Sequence, residues 1–141
     1  MNLVDASLLA PVVAMAGVTF LVWLRLYHLR LGEMRRSRID PQRLALSAPK
    51  ESLLKDTRAS DNFSNLFEVP VLFYVGALAV TQAGLSDPVF LVLAWTFVAL
   101  RAAHSLIQCT YNRVMHRFTV YALATLVLTA FWMRFALKLP W

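Results

Sequence analysis

Cysteine is almost missing from this chain, with Cys109 the only one. An intramolecular disulfide and a thiolate metal cluster are therefore excluded. A lone thiol inside an apolar helix is expected to be buried and inert. Acid is also scarce, with 8 Asp and Glu against 14 Lys and Arg. His28, His104 and His116 share no helical face with carboxylates, so no metal site is expected. Met1-Asn2-Leu3-Val4-Asp5 lacks the basic stretch of a secretory signal, so the first apolar segment is expected to persist as a helix. Internal repeats and low-complexity tracts are absent. Residues 1–141 leave no room for a second, soluble domain.

What is abundant is apolar surface. Hydrophobic residues make up 59% of the 141, and the mean hydropathy is +0.58. A soluble domain of this size cannot hide that much, because small folds bury a limited share of their surface. The net charge of +6 is compatible with nucleic-acid binding. The basic residues, however, lie beside long apolar runs, as they do at the inner face of membrane proteins. No nucleic-acid partner is expected.

A membrane-spanning helix needs about 20 mostly apolar residues. Ala6 to Leu24 carries no charge, and neither does Val69 to Ser86. A third run starts at Pro88, a residue suited to a first helical turn, and is interrupted by Arg101 and His104 before Asn112. A fourth runs from Phe118 to Met133, closing on Arg134, Lys138 and Trp141 as interfacial anchors. The expected architecture is an all-α integral membrane bundle of four transmembrane helices. Their bounds are about 6–36, 57–83, 88–112 and 116–138, with a loop over 37–56. Within that loop, Ser47 to Glu51 has the composition of a short helix start.

Loop charge sets the orientation. Arg35 to Arg58 holds seven Lys and Arg, and the third connection holds Arg113, His116 and Arg117. Gln82 to Pro88 holds no Lys or Arg. The basic loops belong inside, which places loops one-two and three-four in the cytoplasm and both termini outside.

Ionisable residues in a membrane are costly and face a bundle interior or a wet site. Here they keep register. Arg58, Asp61, Asn62, Asn65 and Glu68 fall at i, i+3, i+4, i+7 and i+10, one helical face about 120° wide. Arg101, His104, Ser105, Gln108, Tyr111 and Asn112 repeat the pattern on the third helix, and Arg117 and Tyr121 lie one turn apart on the fourth. One reading is internal pairing, for instance Arg101 with Glu68, which glues the bundle. Such contacts average only about 0.6 kcal/mol in membranes. The other is a polar pocket for an anionic, carboxylate-bearing ligand, since Arg58, Arg101 and Arg117 outnumber Asp61 and Glu68. Pro70 removes a backbone donor opposite the Leu66 carbonyl and predicts a kink in the second helix.

At these residues the chain resembles the MAPEG family, the membrane-associated proteins in eicosanoid and glutathione metabolism. Arg58-Ala59-Ser60-Asp61-Asn62-Phe63 is similar to the family's Arg-Ala-His-x-Asn stretch with its following proline. Arg101-x-x-His104 and Arg117-x-x-x-Tyr121 resemble its third- and fourth-helix signatures, and the similarity runs over essentially the whole chain. The chain looks most like bacterial members, implying a bacterial inner membrane. The resemblance implies a homotrimer with glutathione, as co-substrate, held between adjacent subunits. By position, Arg58 and Asn62 would hold the tripeptide, with Arg101 and His104 in support and Tyr121 in contact. Arg117 would be catalytic, stabilising the thiolate. Asn65 stands where enzymatic members usually carry a glutamate, and Glu68 one turn later is the candidate replacement. Gln108 stands for a tyrosine and Phe118 for a serine. A first-helix arginine joins the site in some members; Arg30 is the choice here, with Arg25 and Arg35 as rivals and headgroup snorkelling as the plain alternative.

Three functions remain open on this reading. One is a glutathione-dependent transferase or peroxidase acting on hydrophobic small molecules. The second is a non-catalytic lipid- or ligand-binding protein. The third is a small proton-coupled transporter using Glu68.

Overall fold

The computed structural model describes residues 7–38 and 56–139. It is built of α1 (Leu9–Ser37), α2 (Arg58–Asn65), α3 (Val69–Gln82), α4 (Pro88–Cys109) and α5 (Val114–Lys138). Among the described residues four spans are long and apolar enough to cross a membrane, with α2 and α3 together forming the second, Arg58–Gln82. This is a multi-pass membrane architecture. The short helix expected at Ser47 to Glu51 lies outside the described residues.

The element ends follow from local chemistry. The chain turns left-handed at Arg38 (φ 50°), whose N–H returns to the Met34 carbonyl and closes α1. α4 stops at Cys109, three residues short of the expected Asn112. Asn112 adopts φ 49°, a conformation asparagine tolerates better than most residues. Asp87 caps α4 by accepting from the Phe90 N–H, with Pro88 in the first turn.

The second span is broken rather than merely kinked. α2 ends at Asn65, and Glu68, at φ −98° and ψ −102°, separates it from α3. Pro70 explains the break: it offers no N–H to the Leu66 carbonyl, and its ring crowds that oxygen. The chain restarts as α3 with Pro70 in its first turn, where the missing donor does no harm.

α1 packs against α2, α3 and α4, while α5 packs against α4 and α3. The core is aromatic. Phe73 stacks on Phe97 with centroids 4.8 Å apart, and Phe90 meets Phe131 edge-on at 4.9 Å. The outer faces carry large exposed apolar side chains such as Phe20, Leu21, Val92, Leu126 and Leu137, as lipid contact requires.

Candidate functional site

The break in the second span creates the problem that the polar stripe answers. Backbone groups freed inside a membrane must find partners within the protein. Arg101, fully buried on α4, donates through one terminal nitrogen to the Asn65 carbonyl at 2.9 Å, where α2 ends. Its Nε and other terminal nitrogen have no hydrogen-bond partner. The guanidinium lies 5.5 Å from the Tyr121 ring centroid, within cation–π range. The alternative Arg101–Glu68 pairing is not formed. Glu68 is exposed, and the ion pairs among the described residues leave both groups out.

Around this arginine runs a chain of neutral groups. Asn65 donates to the Gln108 side-chain oxygen at 3.2 Å, and Gln108 meets His104 Nε2 at 2.9 Å. His104 Nδ1 faces the Arg117 carbonyl at 3.2 Å. Both partners present oxygens that only accept, so a neutral His104 donates to one of them at a time, from whichever ring nitrogen carries its proton. One network thus joins α2, α4 and α5.

The network walls a pocket of about 220 Å³ lined by Asn65, His104, Val114, Arg117, Phe118 and Tyr121. Arg117 is steadied by the left-handed Asn112, whose side-chain oxygen accepts from its guanidinium at 3.0 Å. The other guanidinium N–H groups have no partner among the described residues. The pocket therefore offers a cation beside a histidine and a tyrosine, at the end where α4 finishes and α5 begins.

Four of the residues singled out by sequence, Asn65, His104, Arg117 and Tyr121, meet here, with Arg101 behind Asn65 and Tyr121. Others are engaged elsewhere. Arg58 grips the Asp56 carboxylate with Nε and a terminal nitrogen, at 2.9 and 2.7 Å, and also caps the Thr110 carbonyl. That cation and its hydrogen bonds hold the Asp56 carboxyl below the usual carboxylate range. Arg25 of α1 caps the neighbouring Cys109 carbonyl at 2.9 Å, so two arginines sit at the negative end of the α4 dipole. Asn62 is fully buried, accepting from Ser105 at 3.3 Å and lying 3.5 Å from the Cys109 sulfur. Arg30 is half-buried on α1 and has an unpartnered Nε, but it does not line this pocket. Glu68 does not line it either. Val114 is the lining residue that sequence reasoning did not single out; Phe118 was noted as standing for a serine and Asn112 as a member of the polar stripe. Asn112 carried a signal, since asparagine is common at left-handed helix ends.

A second, larger cavity of about 460 Å³ lies between α1 and the broken span. Its walls are Ala16, Thr19, Phe20, Trp23, Phe63, Phe67 and Tyr74. It is almost wholly apolar. Among the described residues no group of three or more His, Cys, Asp or Glu is placed to hold a metal ion.

Among the described residues, four apolar spans with a polar pocket at one end define a multi-pass helical membrane protein. Residues 8–137 match the model of the MAPEG family, and the chain belongs to that family. Comparison with curated proteins gives no match, and comparison with solved structures gives none.

Proposed function

We propose that this protein is a glutathione-dependent membrane transferase or peroxidase acting on hydrophobic electrophiles. The observation that carries the reading is the pocket itself. Arg117 lines it with N–H groups that have no partner among the described residues, His104 and Tyr121 flank it, and the buried charge of Arg101 lies behind its wall. A cation beside a thiol raises the thiolate fraction at neutral pH. The thiolate then attacks an electrophile that arrives through the lipid, forming a sulfur bond as the leaving group departs. Arg117 is the residue assigned to the thiolate, and Asn65, His104 and Tyr121 are assigned to the tripeptide.

The size of the pocket supports a shared site. Small-molecule sites occupy about 300–1,000 Å³, and one protomer supplies about 220 Å³. A homotrimer, with Arg30, Arg58 or Asn62 presented by a neighbouring copy or by rearrangement on binding, would enlarge it. The basic connections support an inner-membrane orientation with the pocket at the cytoplasmic side and both termini outside.

A second reading, non-catalytic binding of a lipid-like ligand, draws on the apolar cavity of about 460 Å³ and on Asn65 and Phe118 at altered positions. Thiolate absorbance separates the two. Purified protein titrated with glutathione is expected to give a saturable signal at neutral pH that Arg117→Ala abolishes. A folded wild-type protein with no signal would favour the binding reading, and an undiminished signal in Arg117→Ala would remove Arg117 from its role. The transporter reading has no comparable support, because Glu68 is exposed and lines neither cavity.

A further inference from the structure

Among the described residues the walls of the polar pocket carry a cation, an amide, a histidine and a tyrosine but no carboxylate. Arg117 lines the pocket, and Arg101 sits fully buried behind it with two nitrogens unpartnered. The α2 residue facing them is Asn65, a neutral amide bonded to a second neutral amide, Gln108. The ion pairs among the described residues lie elsewhere, joining Arg58 to Asp56, and Arg134 and Lys138 to Asp87. Glu68 influences Arg101 only through space and is exposed beyond the helix break.

This charge pattern treats the ends of a glutathione-like molecule unequally. A carboxylate entering the pocket meets guanidinium N–H groups with no other partner among the described residues, the strongest kind of hydrogen bond a side chain offers. An ammonium entering it leaves water for a site with two like charges nearby and no acid to accept it. Resting on the glutathione reading above, we propose that the pocket selects its thiol through carboxylates alone. Its preferred substrate class is a small thiol that carries carboxylates and whose amine is acylated or absent.

Equilibrium binding to the assembled, purified protein tests this with three probes: glutathione, N-acetylglutathione and glutathione diethyl ester. N-acetylglutathione is expected to bind at least as tightly as glutathione, and the diester about tenfold more weakly or worse, which corresponds to about 1.4 kcal/mol. Asn65→Glu, which places an acid on the wall, is expected to shift the preference about tenfold towards the free amine. Glutathione binding with loss of the N-acetyl form overturns the inference and leaves the glutathione reading standing; an acid contributed by a neighbouring copy would produce that result. Binding of the N-acetyl form without glutathione does the reverse. Binding of none of the three overturns both.

Discussion

At the scale of single residues, Arg101 carries two roles that pull in different directions. As a cap it satisfies the Asn65 carbonyl, and losing that bond costs about 1–3 kcal/mol. As a buried cation with two unpartnered nitrogens it carries a desolvation penalty of several kcal/mol. The second effect is the larger when no ligand is present. Arg101→Met is therefore expected to unfold at the same temperature as the wild type or higher, while binding of anionic thiols falls. A large drop in thermal stability would make the arginine a structural cap first. The helical spacing in the sequence put Arg101, His104 and Gln108 on one face, and the structure keeps them there. Spacing did not show that Arg101 would answer a broken helix rather than an acid, because that depends on where the second span parts. Nor did it show that Arg58 would turn to Asp56 and the end of α4, since those partners lie on other segments.

At the scale of elements, the break and the two tight joints define how the spans are fixed. Pro70 made the break legible as a kink; its depth was not, because the Asn65 carbonyl at the end of α2 finds its partner in Arg101, which lies on another helix. The joint between α3 and α5 rests on Gly76. A Cβ there would meet Phe131 and Trp132 at 3.2 Å, so Gly76→Leu overpacks the contact and is expected to cost about 1–3 kcal/mol in a detergent unfolding assay. The joint between α4 and α5 rests on Asp87, whose carboxylate accepts from both Arg134 and Lys138 as well as capping α4. Burial pushes its carboxyl up, but the Arg134 and Lys138 hydrogen bonds outweigh this and hold it well below the ordinary value of 3.8. A carboxyl lowered on folding adds stability that is complete above its unfolded value and fades as pH falls through the folded one. Asp87→Asn keeps the cap and removes the charge. Its stability deficit should therefore be measurable at neutral pH and narrow steadily below about pH 3.8. A deficit independent of pH would place the role of Asp87 in the cap alone.

At the scale of the whole molecule, which helices build the pocket matters most. Four spans were legible in the sequence from apolar runs alone, because membrane helices announce themselves by length and lack of charge. Which helices adjoin was not legible, since every span has apolar faces that suit several neighbours. In the folded chain α1 packs on α2, α3 and α4, and the pocket is built from α2, α4 and α5. Arg30 on α1 therefore stands outside the pocket that holds Arg117. If both serve one site, a ring of copies must bring Arg30 of one subunit to the Arg117 of the next, the head-to-tail contact of a closed cyclic oligomer. Two variants decide this. Arg30→Ala and Arg117→Ala are each expected to abolish activity when expressed alone. Mixed at equal amounts into the same oligomers, they restore an intact site wherever an Arg30→Ala copy receives its Arg30 from an adjacent Arg117→Ala copy. Random assembly makes that about one site in four for a shared site. Activity near a quarter of wild type would establish that adjacent subunits build the site together. A mixture as inactive as either parent, in oligomers shown to contain both variants, would mean that each protomer uses its own Arg30 and Arg117, whereas full activity of Arg30→Ala alone would release Arg30 to the lipid headgroups.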